Sequence, residues 1–182
     1  MAEIKDIALK RAKLFLCLMI VLSVVYGGLR SVSRLYDMSA EKFAGTAQNA
    51  YDSIIANAEN LCSVVKRYDK KGADEISEYI AIAKNNQNFS VRKKNLCRLT
   101  GRCRELYVYL SKQIDGEWDE PYLKEAYYNI KAYCTVLSAD EYNETAKEYN
   151  KTVKQFPAFL FAAACKKAEM PVFTFDEFNL EV

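Results

Sequence analysis

Hydrophobic side chains recur at steps of three and four residues along most of this chain, which is the spacing that lines one face of an α-helix. The first long stretch begins at Ser39, a residue type that caps helices, and ends at Lys70, Lys71 and Gly72. The pattern predicts one long amphipathic helix between these signals. Its apolar positions are Phe43, Ala47, Ala50, Tyr51, Ile54, Ile55, Ala58, Leu61, Cys62, Val65 and Tyr68.

Four further stretches follow. A short one ends at the polar run 85–88, and a third, capped by Ser90, ends at Asp115-Gly116 with a nearly seven-residue repeat typical of coiled-coil packing. A fourth carries Pro121 in its first turn, and a fifth opens at the capping box 138–141 and ends before a proline. Their apolar positions are Ile76, Tyr79, Ile80 and Ala83; Leu96, Leu99, Cys103, Leu106, Leu110 and Ile114; Leu123, Ala126, Tyr127, Ile130, Cys134 and Leu137; and Tyr142, Ala146, Tyr149, Val153 and Phe156.

Isolated helices cannot shelter such stripes, so the stretches must pack on one another. The sequence therefore predicts an all-α fold in which residues 36–175 form an elongated antiparallel helical bundle, followed by a tail at 176–182. The chain has only 6 Gly and 3 Pro, too few for a fold with many tight turns. Residues 172–175 are rich in β-formers, and we expect them to be frayed or docked.

A separate apolar segment precedes these helices. Residues 14–29 read LFLCLMIVLSVVYGGL without a charge, between Lys13 and Arg30. As a helix they would cover about 24 Å of a hydrocarbon core about 30 Å thick, which flanking cations can complete. The segment predicts a single-pass transmembrane anchor. A cleaved signal peptide is the alternative, because the small residues Gly27 and Gly28 also fit a cleavage site.

The charges around the segment indicate an orientation. Lys5, Lys10, Arg11 and Lys13 precede it, whereas Arg30 and Arg34 follow it closely. Positive residues are retained on the cytoplasmic side. We therefore expect residues 1–13 to be a short cytoplasmic N-terminus and the bulk of the chain to be extracytoplasmic.

The composition excludes several kinds of chemistry. Histidine is absent, which removes histidine-dependent nucleophiles, the HExxH zinc site and the di-iron bundle site. The 6 cysteines have no metal-ligand spacing and are interpreted as free, packed thiols. A formal net charge of +2 gives no reason to expect a nucleic-acid partner. We predict no catalytic, cofactor-binding or metal-binding residues, no cofactor and no small-molecule substrate.

Three surfaces are candidates for contacts. Tyr122, Tyr128 and Tyr133 lie off the predicted apolar stripe and are the better surface tyrosines. Residues 156–165 form the most apolar stretch outside the anchor, and they either cap the bundle, dip into the membrane surface or mediate self-association. The carboxylates at 115–120 are interpreted as a solvated turn, because the spacing of a calcium loop is missing.

The end of the chain resembles the LemA family. Tyr142-Asn143, Tyr149-Asn150, Val153, Phe156-Pro157, Leu160 and Pro171-Val172-Phe173 stand at that family's spacing, and Asn60 to Tyr68 resembles a second family motif. Arg67 stands where the family has glycine, the preceding Asp-Leu-Ile-Pro is missing, and the Gly-Phe near the C-terminus is replaced, so the chain looks like a divergent member. The resemblance implies one N-terminal span and a long-helix bundle, and no enzyme mechanism.

These observations predict a membrane protein that is not an enzyme. The helical domain would present a surface to other envelope proteins or to a second copy of itself. The alternative is an enzyme, or an accessory subunit of a membrane enzyme complex, that uses carboxylates or tyrosines brought together only by folding.

Overall fold

A computed structural model describes residues 2–86, 88–114 and 118–175. All regular secondary structure in these ranges is helical, and they contain no strand. The elements are α1 (Ala2–Lys42), a π-helical segment (Phe43–Ala47), α2 (Gln48–Tyr68), α3 (Lys70–Asn85), α4 (Phe89–Leu110), α5 (Asp119–Ala139), α6 (Glu141–Val153) and α7 (Ala158–Ala164).

Helix α1 runs without interruption from the apolar segment into the folded domain, and the expected helix start at Ser39 is wrong. Ser39 is buried inside α1, and its hydroxyl donates to the carbonyl of Leu35 at 3.0 Å, so the helix satisfies it without ending. The chain bends later, at Gly45, whose backbone leaves the helical conformation (φ −81°, ψ −116°).

The next boundary lies earlier than the sequence indicated. Helix α2 ends at Tyr68, and Asp69 then caps α3 by accepting a hydrogen bond from the Gly72 amide at 2.9 Å. Gly72 is therefore in the first turn of α3, where an added Cβ would collide with the Asp69 carboxylate and Leu106. It is needed for close packing and not for ending a helix.

Two other caps also differ from the expected ones. Asn88 caps α4, since its side chain accepts hydrogen bonds from the amides of Ser90 and Val91. Asp140 caps α6 by accepting from the Tyr142 amide at 2.8 Å, and Ser138 belongs to α5. Helix α4 ends at Leu110, earlier than the expected stop at 115–116, which itself lies outside the described residues.

Both neighbouring helices and helices distant in the chain pack on one another. Helix α2 packs along α5 and α3, α3 packs along α4, and the C-terminal half of α1 packs against α6 and α7. Arg67 near the end of α2 meets Asp119 at the start of α5, while Thr46 before α2 bonds to Asp140 after α5. Helix α5 therefore runs antiparallel to α2. The predicted stripes supply the core between the helices, except for Tyr68 and Phe156, which are exposed.

A cluster of aromatic rings closes one part of this core. Phe43 lies at its centre, 5.1 Å from the ring of Tyr142 and 5.9 Å from that of Phe173, measured between centroids. The Arg92 guanidinium lies 4.4 Å from the Tyr51 ring centroid. The cluster joins the bend after α1 to α2, α4, α6 and the end of the chain.

Candidate functional site

Helix α1 is divided between two environments. From Leu14 to Tyr26 its large apolar side chains are exposed, whereas Val32 is buried in the core and Leu35 packs against it. Of the described helices, this is the one long and apolar enough to cross a membrane. An exposed apolar surface of this length would be strongly unfavourable in water.

Helix α7 packs where these two environments meet. The ring of Phe161 lies against Gly28, and the Cys165 sulfur lies 3.5 Å from the Ser33 hydroxyl oxygen. The opposite side of the segment is open, and its exposed residues are Phe156 (80%), Phe159 (46%) and Leu160 (49%). The stretch 156–165 thus buries one side against α1 and leaves a second apolar side uncovered.

A groove between α2 and α5 lies toward the C-terminal end of α2. It has a volume of about 540 Å³, and Trp118 and Tyr122, which are 75% and 60% exposed, contribute its aromatic surface. The side-chain amides of Asn57, Asn60 and Asn129 line it and add polar groups. Exposed Trp and Tyr beside polar groups are the composition of protein interaction sites.

One carboxylate fixes the end of this groove. Asp119 accepts from the Arg67 guanidinium at 2.5 Å and from the Tyr68 hydroxyl at 2.7 Å. The hydrogen bond to Asp119 raises the pKa of Tyr68 above its ordinary value. Both oxygens of Asp119 are thus occupied by neighbouring side chains, which leaves it poorly placed to act as an acid or base. Sequence analysis missed this triad because Asp119 lies 51 residues from Tyr68 along the chain.

A second, wider cleft lies along α3 and α4, with a volume of about 1180 Å³. Arg102 lies in it between Glu75 and Glu105, each at 2.8 Å. The hydrogen bond to Glu105 is the main reason that the pKa of Arg102 is raised, so this guanidinium stays charged. The charges of Arg102, Glu75 and Glu105 are therefore paired with one another.

The tyrosines of the last two long helices, and all the cysteines except the exposed Cys17, are placed as the pattern predicted. All six cysteines are free, and burial strongly raises the pKa of the Cys103 and Cys134 thiols, which keeps them protonated and unreactive. The buried tyrosines of the last two long helices are Tyr127, Tyr142 and Tyr149, and the exposed ones are Tyr122, Tyr128 and Tyr133. The described residues contain no cluster of three or more metal-ligating side chains, and 115–117 lie outside them.

The residues that carry the LemA resemblance contact one another. The Tyr142 hydroxyl donates to the Pro171 carbonyl at 2.8 Å, and the buried Asn143 side chain accepts from the Phe173 amide at 2.7 Å. A third residue of the motif, Asn150, donates to the Met170 carbonyl and accepts from its amide. The end of the chain is therefore docked on α6 up to residue 175, and the frayed alternative is wrong for 172–175. The tail 176–182 lies outside the described residues.

Comparisons with known proteins give no relative. No family model matches the sequence, and neither a curated protein nor a solved structure matches it significantly. The resemblance to the LemA family therefore stays a hypothesis carried by the quoted residues.

Proposed function

We propose that this chain is a non-enzymatic, single-pass membrane protein of the LemA type. In this proposal α1 crosses the membrane, and the helices after it form an elongated antiparallel bundle that binds other envelope proteins or a second copy of the chain. The observation that carries it is the division of α1 into an exposed apolar half and a half built into the core. In a soluble protein, other residues would have to bury the exposed apolar half of α1, or that half would have to be removed.

In this proposal the helical domain lies outside the cytoplasm. Lys10, Arg11 and Lys13 remain on the cytoplasmic side, because positive residues resist transfer across the membrane. Protease added to intact spheroplasts should then digest the domain while the membrane stays sealed. Complete protection, with digestion only after lysis, would show that the domain is cytoplasmic and contradict the proposed orientation.

The partner surface in the proposal is the α2–α5 groove with Trp118 and Tyr122. It combines a large exposed aromatic area with side-chain amides, and it lies at the far end of α2 from the anchor. A partner that extends from the membrane or is free in the envelope could reach it there. The groove gives the domain a defined contact site without requiring any chemistry.

Crosslinking in intact membranes, followed by mass spectrometry, tests this assignment. The wild-type chain should give reproducible crosslinked neighbours, and Trp118→Ala should lose them while the exposed α5 control Tyr133→Ala keeps them. If both variants keep the same crosslinked neighbours, the partner surface is not this groove. Absence of neighbours for the wild type would contradict the interaction role, and recovery of the chain in the carbonate-soluble fraction would contradict the anchor.

A further inference from the structure

We propose that α7, together with Phe156 before it, is a membrane-interface element that inserts its exposed apolar side into the outer edge of the same bilayer that α1 crosses. The inference rests on the proposed anchor and goes beyond it by assigning a second, separate lipid contact. The occupant of this apolar surface is thus lipid. Three features of α7 support this role: its position, its exposed side chains and the charges around it.

The position of α7 along α1 places it at the lipid boundary. Phe161 of α7 lies against Gly28, and Cys165, which follows α7 directly, contacts Leu29 and Ser33. These positions of α1 lie within two turns of Tyr26, the last large exposed apolar residue of the segment. Tyrosine is enriched at membrane interfaces, where its ring and hydroxyl meet different solvents. Because α7 is packed on α1 at this level, it must sit where α1 leaves the lipid.

The length of the apolar segment moves this boundary further toward α7. Residues 14–29 cover about 24 Å as a helix, which is roughly 6 Å less than the hydrocarbon thickness of a typical bilayer. If the segment is centred in the bilayer, the hydrocarbon edge lies beyond Leu29, at the height of α7. The side chains of α7 that point away from α1 then face acyl chains or the glycerol region.

The exposed side of α7 fits that environment. Phe156, Phe159 and Leu160 are exposed large apolar residues, and Ala163 and Ala164 continue the surface without a charge. Exposing such a surface to water is unfavourable in proportion to its apolar area. Shallow burial of about 5–10 Å is the depth at which interfacial helices bind.

The surrounding charges complement lipid headgroups. Arg30 at the boundary and Arg34 just past it are exposed on α1, and Lys166 follows α7 without an ion-pair partner in the described part of the chain. Lys166 adopts a left-handed conformation (φ 54°) that ends α7. Cations around an apolar surface attract anionic lipids.

Depth-dependent fluorescence quenching of the full-length chain in vesicles tests the proposal. The chain has 1 Trp, so Trp118→Phe removes the native signal and Phe159→Trp places a new one on the exposed side of α7. The vesicles contain phosphatidylcholine and phosphatidylglycerol with a nitroxide either high or low on the acyl chain. We expect the emission of the Phe159→Trp reporter to shift to the blue and to lose more intensity with the shallow nitroxide than with the deep one.

Two controls separate this proposal from that of the anchor. Native Trp118 reports a site at the far end of α2 and should be quenched by neither lipid, and Leu22→Trp with Trp118→Phe reports the anchor and should be quenched by the deep nitroxide. If the Leu22→Trp reporter is quenched and the Phe159→Trp reporter behaves like native Trp118, the α7 proposal is wrong while the anchor stands. If neither introduced reporter is quenched, the anchor is wrong as well.

A second reporter covers the case in which the Phe159 substitution disturbs packing. Leu160→Trp in the same background places the probe one residue further on the same exposed side, and protection of the buried Cys103 thiol from alkylation shows that the core is intact. Emission from either α7 reporter that is insensitive to lipid nitroxides but changes with the protein-to-lipid ratio would assign the surface to self-association and overturn the lipid contact.

Discussion

The ring of Phe161 lies directly against Gly28, at a point where α1 has no side chain. A Cβ at residue 28 would come closer to the ring than any real contact allows, while a Cβ at the neighbouring Gly27 would meet nothing within 4 Å. Two adjacent glycines in one helix thus have different roles. Gly28 admits α7, and Gly27 leaves open surface.

This difference gives a matched pair of variants. Gly28→Leu should displace α7 at a cost of about 1–3 kcal/mol, which corresponds to a rise of about 5- to 150-fold in exposure of the segment. The readout is the alkylation rate of Cys165, which packs against Ser33, measured by mass spectrometry in micelles. Gly27→Leu adds the same side chain and should leave that rate unchanged. Equal rates in both variants would show that Phe161 simply moves aside.

Asn143 is predicted to hold the end of the chain on α6. Its amide nitrogen donates to the Leu137 carbonyl at 2.6 Å and to the Ser138 carbonyl at 3.1 Å, and its oxygen accepts from the Phe173 amide. Because Asn143→Ala leaves these buried groups without partners, we expect a loss of about 3 kcal/mol in the free energy of unfolding.

The measurement is denaturant unfolding of the full-length chain in micelles, followed by circular dichroism. Asn129→Ala, on the half-buried side of α5, is the control and should change stability by less than about 0.5 kcal/mol. A similar small effect for Asn143→Ala would mean that water replaces the lost bonds.

Arg92 is predicted to stabilise the aromatic cluster through its charge. Its guanidinium lies 4.4 Å from the Tyr51 ring centroid and 5.3 Å from that of Phe43, and it donates to Gln48 at 3.2 Å. Arg92→Met keeps an apolar chain of similar reach and should cost about 1–2 kcal/mol. Arg98→Met on the exposed side of α4 is the control. Equal melting temperatures for the two variants would contradict a cation–π contribution.

Alkaline pH is predicted to weaken the contact of α6 with α1, where the Tyr149 ring lies 5.7 Å from the Tyr36 ring between centroids. Burial raises the pKa of Tyr149 to about 12, and the ordinary value is 10.0. The folded state therefore disfavours ionisation of this hydroxyl, and the stability it contributes is full below pH 10 and lost as the pH rises towards about 12.

Tyr149→Phe should therefore reduce the fall in melting temperature between pH 10 and about pH 12, because phenylalanine cannot ionise. Tyr133→Phe, on the exposed side of α5, is the control and should follow the wild type. The two substitutions would be compared by thermal melts across the alkaline range, from about pH 8 to about pH 12, in the same micelles. Parallel curves for both would assign the alkaline loss to other groups.

The spacing of apolar residues predicted most of the helices correctly, but the capping residues were predicted less well. Each predicted apolar stripe is helical, apart from Ile114 and Phe156 at the ends of two of them, because burial of these side chains fixes the period. Ser39, Ser90 and Ser138 are all credible caps in sequence, yet the residues that cap α4 and α6 are Asn88 and Asp140. Several adjacent polar residues can satisfy a helix end, so local sequence alone does not choose among them.

The candidate surfaces depend on contacts that are distant in sequence. Exposure of Tyr122 follows from helical spacing, but the Arg67, Tyr68 and Asp119 contacts require α5 to return along α2. The position of α7 depends on Gly28 and on a ring, that of Phe161, from the far end of the chain. Periodicity assigns a face to each side chain and does not identify the partner of that face.

Helix α1 has a mechanical consequence, because it continues without a break from Leu14 to Lys42 and is contacted by α6 and α7 on the way. A bilayer that thickens or thins changes the inclination of a spanning helix. With no flexible joint between lipid and core before Gly45, that change of inclination would swing the part of the domain packed on α1. Local membrane thickness would thereby be converted into a displacement of the Trp118 end of the molecule.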